Sequence, residues 1–100
     1  MSDTRPLLVF FSSMQSGPSR RMESLVAHIA RRERHRLRVV QVDVEQRADL
    51  VEKLAVLAAP SLVLVVDSKV VARVDGRASA PTIDAMLEGH LEPAPVAQPS

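Results

Sequence analysis

Apolar residues run almost without a break from Pro6 to Ser12 and again from Ser61 to Val66. Each run has the length of one strand, and unbroken apolarity is the mark of a strand covered on both faces. Between them the pattern changes period. Met22, Leu25, Val26, Ile29 and Ala30 follow the i, i+3, i+4, i+7 spacing of a buried helix stripe. Ser16 is placed to cap that helix and Pro18 suits its first turn. Arg31, Arg32, Arg34, His35 and Arg36 close it, which suits the negative end of the helix dipole. Leu37–Val44 reads as a second strand. From Glu45–Gln46 a second helix is expected, with Leu50, Val51, Leu54 and Leu57 turned inward, broken by Ala58-Ala59-Pro60.

After the run at Ser61–Val66, Asp67-Ser68 reads as a tight turn into an antiparallel partner strand, Val70–Val74. Ser79 is placed to cap a last helix with Ile83, Met86, Leu87 and Leu91 on one face. Residues 1–5 are expected to fray. Residues 92–100 hold three prolines and no core pattern, and are expected to be a disordered tail. The order is βαβαββα in one domain, residues 6–91. Strands alternating with helices imply parallel pairing by right-handed crossover, then one hairpin, and periodicity alone leaves several α/β topologies open.

Composition narrows the chemistry. With 46% of its 100 residues hydrophobic, the chain can fill one core; only Phe10 and Phe11 are aromatic, so Val, Leu, Ala, Ile and Met must do the packing. A net charge of +1 gives no global field toward nucleic acid or acidic membranes. The cluster Arg31, Arg32, Arg34, Arg36 and Arg38 is interrupted by Glu33 and lacks stacking aromatics, so it reads as a solvated helix end. No apolar run approaches the ~20 residues of a membrane span, and Leu7–Phe11 is shorter than the ~7–15-residue core of a signal peptide. A cytoplasmic protein is expected. There is no cysteine, which excludes disulfides, thiolate catalysis and thiolate metal sites. His28, His35 and His90 have no paired carboxylates at ligand spacing, and neither metal nor cofactor is expected.

Three short motifs mark the junctions. Ser16-Gly17-Pro18-Ser19 lies where the first strand passes into the first helix. Ala59-Pro60-Ser61 precedes the third strand, and Gly76 follows the fourth. Together they resemble the thioredoxin family, over Pro6 to about Leu91: the first is similar to its Cys-Gly-Pro-Cys active site with both sulfurs replaced by hydroxyls, the second to its cis-proline tripeptide, the third to its groove glycine. The resemblance implies a thioredoxin-like α/β fold with a four-stranded mixed sheet in order 2-1-3-4 and helices on both faces. It also implies a cis Ala59–Pro60 bond. Serine has no disulfide state, so dithiol exchange cannot run. The family's tryptophan before the first cysteine falls on Gln15, its buried proton-accepting aspartate on Phe10, and that aspartate's lysine partner on Gln41. The redox machinery is therefore missing as a set, which favours natural loss over an engineered pair of serines.

What the resemblance leaves is a groove. Ser16, Gly17, Pro18, Ser19, Ala59, Pro60 and Gly76 would line it, and main-chain pairing at Ala59 would hold an extended peptide or partner protein without sulfur. The alternatives are a thiol-disulfide oxidoreductase with its active-site cysteines changed to serine, and a structural subunit. Ser16, Gly17 and Ser19 with Arg20 and Arg21 form a further candidate, an anion site at a helix N-terminus, although the spacing matches no phosphate-loop motif. The family's usual first strand and helix have no counterpart before Pro6. Leu37–Val44 is then an exposed edge through which a homodimer is expected.

Overall fold

A computed structural model of the protein describes residues 4–91. In chain order the elements are β1 (Leu7–Ser12), α1 (Gly17–Arg32), β2 (Arg38–Asp43), α2 (Ala48–Lys53), β3 (Ser61–Val66), β4 (Lys69–Asp75) and α3 (Ala80–Leu87). The four strands form one mixed sheet in the order β2-β1-β3-β4. β1 pairs β2 in parallel, while β3 runs antiparallel to both β1 and β4. The expected order βαβαββα is thus the observed one, and residues 92–100, expected as a tail, lie outside the described residues, as do the first three.

The two apolar runs are the central strands. Alternation along β1 sends Leu8 and Phe10 to one face and Val9 and Phe11 to the other. On the first face they meet Met22, Val26 and Ile29 of α1 and Ile83, Met86 and Leu87 of α3. On the second they meet Val42, Val56 and Val63, with Leu50, Val51 and Leu54 packed alongside. Each fully buried side chain of this kind contributes roughly 1.5–3 kcal/mol, which makes β1 and β3 the anchor of the fold.

Sequence periodicity misjudged the region around α2 in two respects. The helix covers six residues and ends at Lys53, and Leu57, expected inward, is 89% exposed. Ala55 adopts φ +53, and Arg73 on β4 donates to the Leu54 and Ala55 carbonyls at 3.2 and 3.0 Å. That tertiary cap stops the helix, and Val56 fills the buried position instead. The second respect is strand direction. A parallel return from β2 needs a helix about as long as a strand, ~20 Å for six residues, but six helical residues span only ~9 Å. The chain therefore re-enters the sheet at the end it left, and β3 is antiparallel to β1; only β1–α1–β2 is a parallel crossover unit.

Smaller differences follow from hydrogen bonding. Pro6 precedes β1, although its carbonyl accepts from Arg38 N at 2.9 Å. Leu37, just before β2, is buried. β4 is one residue longer at each end than the apolar stretch Val70–Val74. Leu91 lies beyond α3 and packs against the core from there. Among the described residues, no helix is long and apolar enough to cross a membrane.

Candidate functional site

Strand register brings the three junction motifs to one end of the sheet. Phe11 stands opposite Ser61, and Ser61 opposite Asp75. The loop leaving β1, the residue entering β3 and the residue leaving β4 therefore emerge together. They carry Ser16–Ser19, Ala59–Pro60 and Gly76 respectively.

The serine segment is a helix start locked to its loop. Ser16 is the N-cap of α1, with extended backbone, and its Oγ accepts from Ser19 N at 3.2 Å. Ser16 N donates to the Ser13 carbonyl at 3.1 Å. Ser19 is fully buried, and its Oγ accepts from Ser13 N at 3.2 Å. Both hydroxyls at the positions of the family's sulfurs thus bond to backbone amides. Ser13 Oγ in turn reaches the Glu45 carboxylate.

The opposite side of the site is built from backbone. The Ala59–Pro60 peptide is cis, Ala59 is half-buried and Pro60 is buried. Gly76 N donates to the Pro60 carbonyl at 2.8 Å. Gly76 has φ +85, the left-handed region that a side chain disfavours, and no atom lies within 4 Å of where its Cβ would stand. Ser61, fully buried, donates to the Ala58 carbonyl at 2.6 Å and lies 3.4 Å from Asp75 Oδ1. Arg73 bonds the same carboxylate oxygen at 3.4 Å. Among the described residues no hydrogen bond joins Ser16–Ser19 to Ala59–Pro60 or Gly76. The two sides share a location without being fused.

Beneath this surface the positions of the proton-transfer machinery are refilled. Phe10 is fully buried on the α1–α3 face of the sheet, so a hydrocarbon ring stands where a carboxylate would be desolvated. Gln41 Nε2 donates to Ser12 Oγ at 3.0 Å and to Glu23 Oε1 at 3.2 Å. Gln15 is exposed. Neither the burial of Ser19 nor the Gln41–Ser12–Glu23 contact was legible in the sequence, because both depend on what packs beside the helix start. The only hint was Ser13, whose spacing of six from Ser19 spans the loop.

Of the groups in the anion reading, Arg20 and Arg21 line a hollow with Gly17 and Glu23, while few backbone amides remain to join them. Pro18 has no N–H, the cap occupies that of Ser19, and Arg20 N closes the first turn onto the Ser16 carbonyl at 3.1 Å. Gly17 is the residue left, with Arg21 Nη2 3.4 Å from its Cβ position. The arginine cluster at the other end of α1 is threaded with carboxylates. Arg32 pairs with Asp84 at 2.6 Å and Glu33 at 3.1 Å, and Arg36 with Glu33 at 2.5 Å. Burial pushes the Glu33 carboxyl up, but the bonds it accepts from Arg36 and Arg32 outweigh this and hold it below its ordinary range. Among the described residues no group of three His, Asp or Glu side chains is arranged to hold a metal.

A fold of this topology with this junction chemistry defines a thioredoxin-like α/β protein, and comparison with known proteins agrees. The thioredoxin family model matches residues 1–89, and the chain belongs to that family. Among solved structures it is similar to the thioredoxin NaTrxh from Nicotiana alata, with 24% identity and a TM-score of 0.83 over 91% of this chain and 77% of that one. A Fasciola hepatica thioredoxin matches at 26% identity and TM-score 0.77, covering 84% of this chain and 80% of its own. The germline-specific thioredoxin Deadhead from Drosophila melanogaster matches at 25% and 0.79 with the same coverage. No curated protein sequence matches the chain.

Proposed function

We propose that this thioredoxin-family chain is a redox-inactive binding module whose former active-site groove holds an extended segment of a partner protein. Ser16, Gly17, Pro18, Ala59 and Gly76 form its surface, with Ser19 and Pro60 buried beneath them. The observation that carries this reading is the Gly76 N–Pro60 O bond of 2.8 Å, which keeps the backbone side of the groove ordered in a chain that has no thiol to use it for exchange. An extended segment pairs there through its own main chain, and the sulfurs contribute nothing to such pairing.

The test is a crosslinking pull-down from the native host with three baits: the natural protein, Gly76→Trp, and Ser68→Trp. Gly76 and Ser68 both have positive φ, so the two variants carry similar backbone strain, but Ser68 turns the β3–β4 hairpin at the opposite end of the sheet. Partners lost with Gly76→Trp and kept with Ser68→Trp are expected. Partners kept by both variants, or lost from both, overturn the groove.

A further inference from the structure

Among the described residues no strand pairs with the outer side of β2 or of β4, and these two edges differ. β4 carries a register shift between Leu64 and Val65 that leaves Val71 without a partner on β3, a bulge of the kind that turns an edge away from other chains. β2 has no such irregularity in its pairing with β1, and no proline. Its parallel ladder begins with Arg38 N on the Pro6 carbonyl and ends with Val44 N on the Ser12 carbonyl. Because a parallel ladder uses alternate residues, Val40 and Val42 also face β1, and Val39, Gln41 and Asp43 turn their N–H groups outward.

Charge along this edge is polarised. Its N-terminal end is flanked by Arg5, Arg34 and Arg38, which line one hollow with Val39 and Val40. At the C-terminal end Asp43 and Glu23 line a second hollow with Gln41 and Arg47, the guanidinium of Arg47 is paired with Asp49 at 3.1 Å, and Glu45 follows Asp43 closely, so carboxylates outnumber cations there. A copy laid antiparallel along the edge sets basic end against acidic end twice; a parallel copy sets like against like.

We propose that β2 is a self-association edge, and that a second copy of this chain adds to it antiparallel across a twofold axis at Gln41. An axis normal to the sheet keeps each face on its own side, so residues that meet must have the same parity. Placing Gln41 opposite Gln41 satisfies this and sets Val39 against Asp43, so every outward N–H but that of Val39 meets a carbonyl. The two Gln41 residues exchange N–H and carbonyl, and each Asp43 N–H meets the partner copy's Val39 carbonyl. The Asp43 carbonyl is already taken by Gln46 N and Arg47 N at 3.0 and 3.1 Å, which ends the ladder there.

Sedimentation velocity up to high micromolar concentration tests this on three proteins. The natural chain is expected to form a dimer that weakens with added salt. Gln41→Pro removes the outward N–H without touching the β1 ladder, the one place an edge strand accepts proline, and is expected to be monomeric. Should proline unfold the chain, Gln41→Lys, which sets two cations across the axis, replaces it. Val71→Lys on the bulged edge is expected to leave the dimer intact. A natural chain that stays monomeric overturns the proposal. So does a dimer that survives a folded Gln41 variant, or one lost with Val71→Lys.

Discussion

At the scale of single residues, the two serines hold the start of α1 rather than standing ready for chemistry. Ser16 caps the helix and Ser19 is sealed beneath it. Replacing Ser16 with alanine should cost about 0.5–2 kcal/mol in urea unfolding, the range of N-cap deletions. The double change Ser16→Cys/Ser19→Cys separates a binding module from an oxidoreductase that has lost only its sulfurs. Phe10 supplies no buried carboxylate, and general acid–base help of that kind is worth about 10²–10⁴ in rate. Insulin-reduction assays on the restored pair should therefore give less than about one hundredth of the rate of an intact thioredoxin; equal rates would favour the oxidoreductase. The cap was legible because Ser-x-Pro before an apolar stripe is a local signal. The burial of Ser19 was not, since nothing in the local pattern separates it from Ser24, which is exposed on the same helix.

At the scale of elements, the α1–β2 turn is set by Glu33. Its carbonyl accepts from Arg36 N and Leu37 N, both at 2.8 Å, and its carboxylate binds Arg36 and Arg32. Arg32 carries the link on to Asp84 of α3, and that bond leads the causes that raise its own pKa. The Glu33 carboxyl is held low in the folded state. It therefore contributes stability that is complete above its unfolded pKa and is lost as pH falls through the lower folded one. Glu33→Gln should lower stability near pH 7 by about 0.5–1 kcal/mol and flatten the acid limb of a plot of unfolding free energy against pH. The β3–β4 hairpin offers the opposite case. Asp67 and Ser68 both take positive φ, 51° and 66°, as a two-residue turn of the primed type requires. Ser68→Gly should raise the urea midpoint, corresponding to about 0.4–1 kcal/mol, because glycine adopts that conformation without strain. The turn was readable in sequence. The end of α2 was not, because the group that stops it, Arg73, lies on a strand with no local connection to the helix.

At the scale of the whole molecule, the proposed groove and the proposed edge occupy different parts of one sheet. The residues of the proposed groove gather at the end where β1 and β4 leave and β3 enters; the outer side of β2, unpaired among the described residues, runs along the side. The sheet order was legible once the strand count and the junction motifs were fixed, while the inequality of its two edges was not, because it depends on a bulge that local sequence does not announce. Antiparallel pairing at Gln41 would continue the sheet from one copy into the next and point their grooves in opposite directions. The two activities should then separate cleanly. Gln41→Pro should abolish the dimer yet bind a partner segment identified with the natural protein at unchanged affinity in titration calorimetry. Gly76→Trp should do the reverse, losing the segment while sedimenting as the dimer. A target carrying two such segments would gain from pairing, since the second contact forms at the effective concentration set by the first. For that target alone Gln41→Pro should weaken binding, by up to about 10²–10⁴-fold where the spacing lets both grooves engage. If Gln41→Pro weakened single-segment binding as much as Gly76→Trp does, groove and edge would be one coupled site, and the reading of two independent surfaces would fall.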